Sequence, residues 1–300
     1  MGSKISTLVF QPPAVTYMHV KNRLIWLRTV RNTSIPAFYI DRKAKVTLLF
    51  SHGNAEDLGM IWEWFIEFSR EVHVNILAYD YEGYGKTAGL PSEQSCYEDI
   101  DAAYSFLTET LRTPSENIVL YGRSLGSGPS CYLAEKLHLQ QVQLGGMILQ
   151  APLLSIFRVA FNFRYTLPYD MFPNIDRIAN TSCPIFVVHG TKDEVVPFWN
   201  GQALFLAAPI ALRAKPFWVH EGCHNNLEEL LREDCVFFNQ FIEFLTEWVP
   251  SYATHSTSTH SSSSSSRTSG RRSSGHGGAP RALGVGDMDF NAQGVRDSFR

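Results

Sequence analysis

The chain has 300 residues, 44% of them hydrophobic and 13% aromatic, with five cysteines and a formal net charge of −3. That is ample apolar matter for one large core, yet no apolar run reaches the roughly 18 residues of a membrane-spanning helix. No basic cluster precedes residue 250, so no nucleic-acid partner is expected. The cysteines at 96, 131, 183, 223 and 235 lack CxxC spacing, which argues against a disulfide framework or structural zinc and for a reducing compartment.

In chain order, residues 15–42 ("RLIWLRTV", "IPAFYIDR") read as a leading antiparallel strand pair. The first residues lack the apolar h-region of a secretory signal peptide. "KVTLLFSHGNAED" is a β-rich run that ends at a Gly turn. Asp57 then opens an amphipathic helix with Ile61, Trp64, Phe65 and Phe68 at helical spacing. "VNILAYDYEGYG" is a second buried strand, and Ser92 starts a helix that presents Tyr97, Ile100, Ala103, Tyr104 and Leu107 on one face. A strand over Ile118–Tyr121 and a helix over Leu125–Leu137 follow. "GGMILQAP" and "CPIFVVHGTKDEVVP" are further strands, then come a helix over 197–208, "KPFWVHEG", and a helix over 226–248. Strands that alternate with helices predict an α/β fold, a mostly parallel sheet of about eight strands covered on both faces.

Residues 251–300 differ in kind. They hold 13 Ser, six Arg and only three Asp, and too little apolar surface to offset the entropy of ordering. The expected organisation is an N-terminal anchor segment over 1–14, the α/β domain over 15–250, and a disordered Ser/Arg-rich tail over 251–300.

The chemistry centres on "YGRSLGSGP". Ser124 sits after a central strand and at the start of a helix, the context of a nucleophile elbow. A serine hydroxyl needs a base to take its proton and a third group to orient that base. Asp193, in "HGTKDEVV", and His224, in "EGCHNNLE", follow later strands in the chain order this arrangement requires. Glu194 is the rival acid, and His189 and His220 are the rival bases. Both rival histidines are assigned to strands, where packing roles are common. The oxyanion donors are expected to be the backbone N–H groups of Leu125 and Asn54. No histidine spacing suggests a metal, and no cofactor is expected.

Taken together, "FQPPAVTY", "HGNAEDLG", "DYEGYGKTAGLPSE", "YGRSLGSGP", "MFPNIDRI", "VVHGTKDEVV" and "EGCHNNLE" resemble the alpha/beta-hydrolase domain-containing protein 17 family over residues 10–248. The resemblance implies the alpha/beta-hydrolase fold, with Ser124, Asp193 and His224 where the family keeps its triad. It also implies depalmitoylation, because the family's animal members cleave S-acyl thioesters from membrane-attached proteins. Its alternatives are a lipid or carboxyl esterase, a serine peptidase, or a non-catalytic binding protein of the same fold.

Two departures stand out. Arg123 occupies the position where members usually carry Gln, and no cysteine precedes Cys96, whereas the animal members have an N-terminal cysteine cluster. "MGSKIS" instead fits N-myristoylation at Gly2. One myristoyl chain binds membrane only marginally, at about 10⁴ M⁻¹, so Lys4, the apolar residues to Phe10, or the basic tail would add a second contact. The expected protein is a monomer at the cytoplasmic side of plasma or endosomal membranes, partly cytosolic, acting on S-acylated proteins or acyl lipids. Residues 151–183, rich in Phe, Tyr and Leu, form either a buried connection or an apolar lid.

Overall fold

A computed structural model describes residues 9–17, 23–161, 168, 170–232 and 235–253. Gly2, most of the expected anchor segment and nearly all of the expected tail lie outside these residues. So do 162–167 and 169 of the segment read as a connection or a lid.

One sheet of eight strands organises the described chain: β1 (Leu24–Arg28), β2 (Ser34–Ile40), β3 (Thr47–Ser51), β4 (Asn75–Tyr79), β5 (Ile118–Arg123), β6 (Gly146–Gln150), β7 (Ile185–Gly190) and β8 (Phe217–Val219). Their order is β1-β2-β4-β3-β5-β6-β7-β8. The pairs β1–β2 and β2–β4 are antiparallel and all others parallel. Every residue of β3, β4, β6 and β7 is buried, as parallel strands covered on both faces require.

Successive strand residues point to opposite faces and feed two cores. Leu49, Leu77, Leu120 and Leu149 pack with α2 (Glu93–Ser105) and α3 (Ser127–Leu139). Their neighbours Leu48, Ile76, Val119 and Ile148 pack with α1 (Leu58–Glu71) and α8 (Val236–Trp248). Phe65 and Phe68 of α1 and Phe241 of α8 close that second core around Tyr121.

The helix starts follow the expected caps. The Asp57 carboxylate accepts the N–H groups of Gly59 and Met60, and Ser92 forms a capping box with Ser95. Among the described residues the shorter α-helices are α4 (Ile156–Phe161), α5 (Asn174–Arg177), α6 (Trp199–Ala207) and α7 (Leu227–Arg232). Two boundaries correct the sequence reading. The helix after Ser124 begins as a 3₁₀ turn, with α-geometry only from Ser127. The single helix expected over 226–248 is two, because Cys235 takes φ 54°, which a right-handed helix does not accommodate.

Between β6 and β7, Leu153, Leu154, Met171 and Phe172 are buried in the core, so these residues connect rather than cover. All five cysteines are free. Among the described residues, no helix is long and apolar enough to cross a membrane.

Candidate active site

The site lies at the carboxyl ends of the parallel strands. β5 runs buried to Arg123, and there the chain turns sharply. Ser124 has φ 51°, a left-handed conformation that costs an L-residue roughly 1–2 kcal/mol. Gly126 makes the turn possible, because a Cβ at that position would lie 1.9 Å from the carbonyl oxygen of Ser51. Ser127 Oγ donates to the Ser124 carbonyl at 2.6 Å and closes the corner. The elbow thus lies flat against the end of β3.

Two further loops meet it. The turn after β7 and the loop after β8 are joined by backbone hydrogen bonds, Thr191 N–H to Val219 O and Lys192 N–H to Gly222 O, both 2.9 Å. This pairing sets Asp193 beside His224. His224 Nδ1 is 2.7 Å from Asp193 Oδ2, and His224 Nε2 is 3.0 Å from Ser124 Oγ. A carboxylate can only accept, so Nδ1 carries the hydrogen and Nε2 offers its lone pair to the serine hydroxyl. Each of the three residues is 7% exposed, which keeps the chain of hydrogen bonds nearly dry but within reach of a substrate.

Asp193 is held on both oxygens. Oδ1 accepts the N–H groups of Val195 and Val196 at 2.9 and 2.8 Å, and Oδ2 also lies 3.2 Å from His189 Nε2. Burial alone would push this carboxyl up. The hydrogen bonds from His189 and His224 outweigh it and hold the group well below the usual carboxylate range. His189 therefore stands behind the acid, not beside the serine. His220 lies just beyond β8 instead of on it, with its side chain 84% exposed. Glu194 is exposed, and its carboxylate accepts the backbone N–H of His224 at 3.4 Å.

The loop between β3 and α1 passes beside the serine. A Cβ at Gly53 would sit 3.7 Å from Ser124 Cβ. This loop is pinned by buried polar groups: His52 Nδ1 donates to Gly53 O at 2.8 Å, Tyr81 Oη to His52 O at 2.7 Å, and Gly53 N–H to Glu56 Oε2 at 2.6 Å. Asn54 follows the committed Gly53 amide. Leu125 lies in the first turn after the elbow, where N–H groups lack intrahelical partners and the helix dipole favours negative charge. The arrangement brings together a polarisable hydroxyl, a base, an oriented acid and the two loops that carry Asn54 and Leu125.

A family model described as serine aminopeptidase, S33, matches residues 42–171. Alpha/beta hydrolase domain-containing protein 17C of Mus musculus is 35% identical over 254 residues, which span 79% of this chain and 75% of that protein. Protein 17B of Xenopus tropicalis is 35% identical over 277 residues, spanning 83% and 91%. The chain belongs to the alpha/beta hydrolase domain-containing protein 17 family. An esterase of Pyrococcus furiosus matches in fold, with TM-score 0.62 at 18% identity over 80% of this chain and all of that one. The protein is therefore an alpha/beta hydrolase in fold and family.

Within this hydrolase, Arg123 has partners that its place in the sequence did not suggest. Its Nη1 pairs with Glu56 Oε1 at 2.5 Å, and its Nη2 donates to Asn225 Oδ1 at 3.2 Å. One guanidinium thus links the elbow, the β3–α1 loop and the residue after His224. Glu56 was visible only as part of "GNAED", and its partner lies 67 residues away. Among the described residues no group of His, Cys, Asp or Glu could hold a metal ion.

Proposed function

We propose that the protein is a serine hydrolase that cleaves fatty-acyl thioesters from S-acylated, membrane-associated proteins. The observation that carries this reading is the continuous hydrogen-bonded chain from Ser124 through His224 to Asp193. In the proposed reaction Ser124 Oγ attacks the acyl carbonyl while its proton passes to His224 Nε2. The N–H groups of Leu125 and Asn54 stabilise the oxyanion. The C–S bond then breaks, and His224 returns the proton to the departing thiolate. Water, deprotonated by the same imidazole, releases the fatty acid from the acyl-enzyme.

An apolar substrate is supported by exposed side chains that follow the site loops in the chain: Met60 on α1, Val195 two residues after Asp193, and Leu230 on α7. A membrane location is supported by the Gly2 pattern alone. The test is pulse–chase turnover of protein-bound palmitate with wild type and Ser124→Ala, beside matched thioesters and oxygen esters in solution. The expected result is a shortened palmitate half-life with wild type only. Unchanged palmitate with rapid hydrolysis of monoacylglycerol or lysophospholipid would assign the site to lipid esters instead.

A further inference from the structure

We infer that residues 9–17 form a strap that positions Asn54, so that a stretch lying mostly within the expected membrane anchor is a working part of the site. The inference rests on the serine-hydrolase reading above. The Asn54 carboxamide is held almost as a strand residue would be. Its Nδ2 donates to Val9 O at 2.6 Å, and its Oδ1 accepts the Gln11 N–H at 2.9 Å. Tyr84 Oη donates to the same Oδ1 at 2.6 Å. Phe10, between the two clamped residues, is 3% exposed and meets Phe172 edge-on at 6.2 Å.

The strap is fixed at its other end as well. Thr16 donates its N–H to Asp57 Oδ2 at 2.7 Å and its hydroxyl to Asp57 Oδ1. The buried Tyr17 accepts the Lys86 N–H at 2.6 Å. Its seat is close: a Cβ at Gly59 would lie 2.3 Å from Thr16 Oγ1 and 2.6 Å from the Tyr17 nitrogen. The strap therefore holds the loop at both Asn54 and Asp57.

External hold matters here because the loop is strained where it carries the donor. Ala55, immediately after Asn54, has φ 57°, which is unfavourable for a residue with a Cβ. A peptide that leads into such a residue relaxes unless its neighbours fix it, and an oxyanion donor works only when it is already aimed. Asn54 and Phe10 are thus positioning residues that act through the Asn54 N–H.

The experiment measures kcat and KM of the full-length protein on a soluble short-chain thioester for wild type, Asn54→Ala, Phe10→Ala, Phe10→Leu and Ser124→Ala. Val30→Ser, an exposed position between β1 and β2 and outside the strap, serves as control. Asn54→Ala keeps the backbone N–H and should lower kcat by roughly 10- to 100-fold, below the 10²–10³ of losing an oxyanion donor outright. KM should move less than about threefold. Phe10→Ala should behave alike, Phe10→Leu should recover most of the rate, and Val30→Ser should match wild type. Wild-type turnover by Asn54→Ala, or a loss carried by KM alone, overturns the strap while an inactive Ser124→Ala leaves the hydrolase reading standing. An active Ser124→Ala overturns both. Should Phe10→Ala fail to fold, Asn54→Ala decides the matter by itself.

Discussion

Two histidines share one carboxylate, and their inequality defines the site. His224 reaches from Asp193 to the serine, whereas the buried His189 gives its Nε2–H to Val196 O at 2.9 Å, with that nitrogen 3.2 Å from Asp193 Oδ2. His224→Ala and Asp193→Asn should each lower kcat by about 10³- to 10⁶-fold, as loss of a base or its orienting acid does in comparable triads. His189→Ala should cost far less, about tenfold, because Asp193 keeps its two backbone donors. Steady-state kinetics on a soluble ester checks the ranking, and a His189 variant as damaged as His224→Ala would contradict it. That Ser124, Asp193 and His224 would meet was legible in the sequence, because chain order and loop position mark them. His189 was legible only as a histidine that ends a strand. That its ring meets a carboxylate four residues on depends on how the turn after β7 folds back. Glu56 and Arg123 were opaque for a related reason, since an ion pair between remote loops leaves no periodic trace.

At the scale of elements, the buried strands were the easiest to read, since a parallel strand is a short continuous apolar run bounded by turns. The elbow was legible from its glycines, but not the 3₁₀ turn that begins it. The break at Cys235 carries no Gly or Pro signal, so sequence periodicity ran straight through it. The strap was hidden because its grip is a side-chain amide on backbone groups, which no hydrophobic pattern reports. The elbow itself can be tested by Gly126→Ala. The added methyl would meet the Ser51 carbonyl oxygen at 1.9 Å, and backbone on both sides leaves it no room to yield. Destabilisation of about 3 kcal/mol, the upper end of overpacking costs, is expected in urea unfolding. A variant as stable as wild type would show that β3 and β5 can separate at their ends without cost.

For the whole molecule, buried carboxyls set the response to pH. Burial pushes Asp80 up to about 8, with the nearby Asp57 charge adding to the effect. Burial likewise pushes Asp99 up to about 8, with Glu82 and Glu98 close by. His52, whose Nε2 is 3.4 Å from Asp80 Oδ1, is pushed down by its own burial. Both members of that pair are thus neutral near pH 7. A carboxyl with a raised folded pKa keeps its proton where the unfolded chain has lost it. Unfolding then releases a proton, so stability falls as pH rises from about 4 to about 8. Asp193 has the opposite sign: its stabilisation is present above the ordinary carboxylate range and is lost only in acid. The urea midpoint of wild type should therefore decline between about pH 5 and 8, and Asp80→Asn should flatten part of that slope. An unchanged slope in Asp80→Asn would remove Asp80 from the account.

The clamp on Val9 also fixes a length. From the proposed acyl site at Gly2 to Val9 there are seven residue steps, which span at most about 25 Å when fully stretched. Once Asn54 grips the chain, the leash ends there, and no slack can be drawn from the residues beyond it. An enzyme moored in this way would search a shallow layer of space next to the bilayer, not the volume of the cell. Its selectivity among thioesters would then be partly a matter of altitude: cysteines acylated close to the headgroups fall within the layer, and those on taller stalks do not.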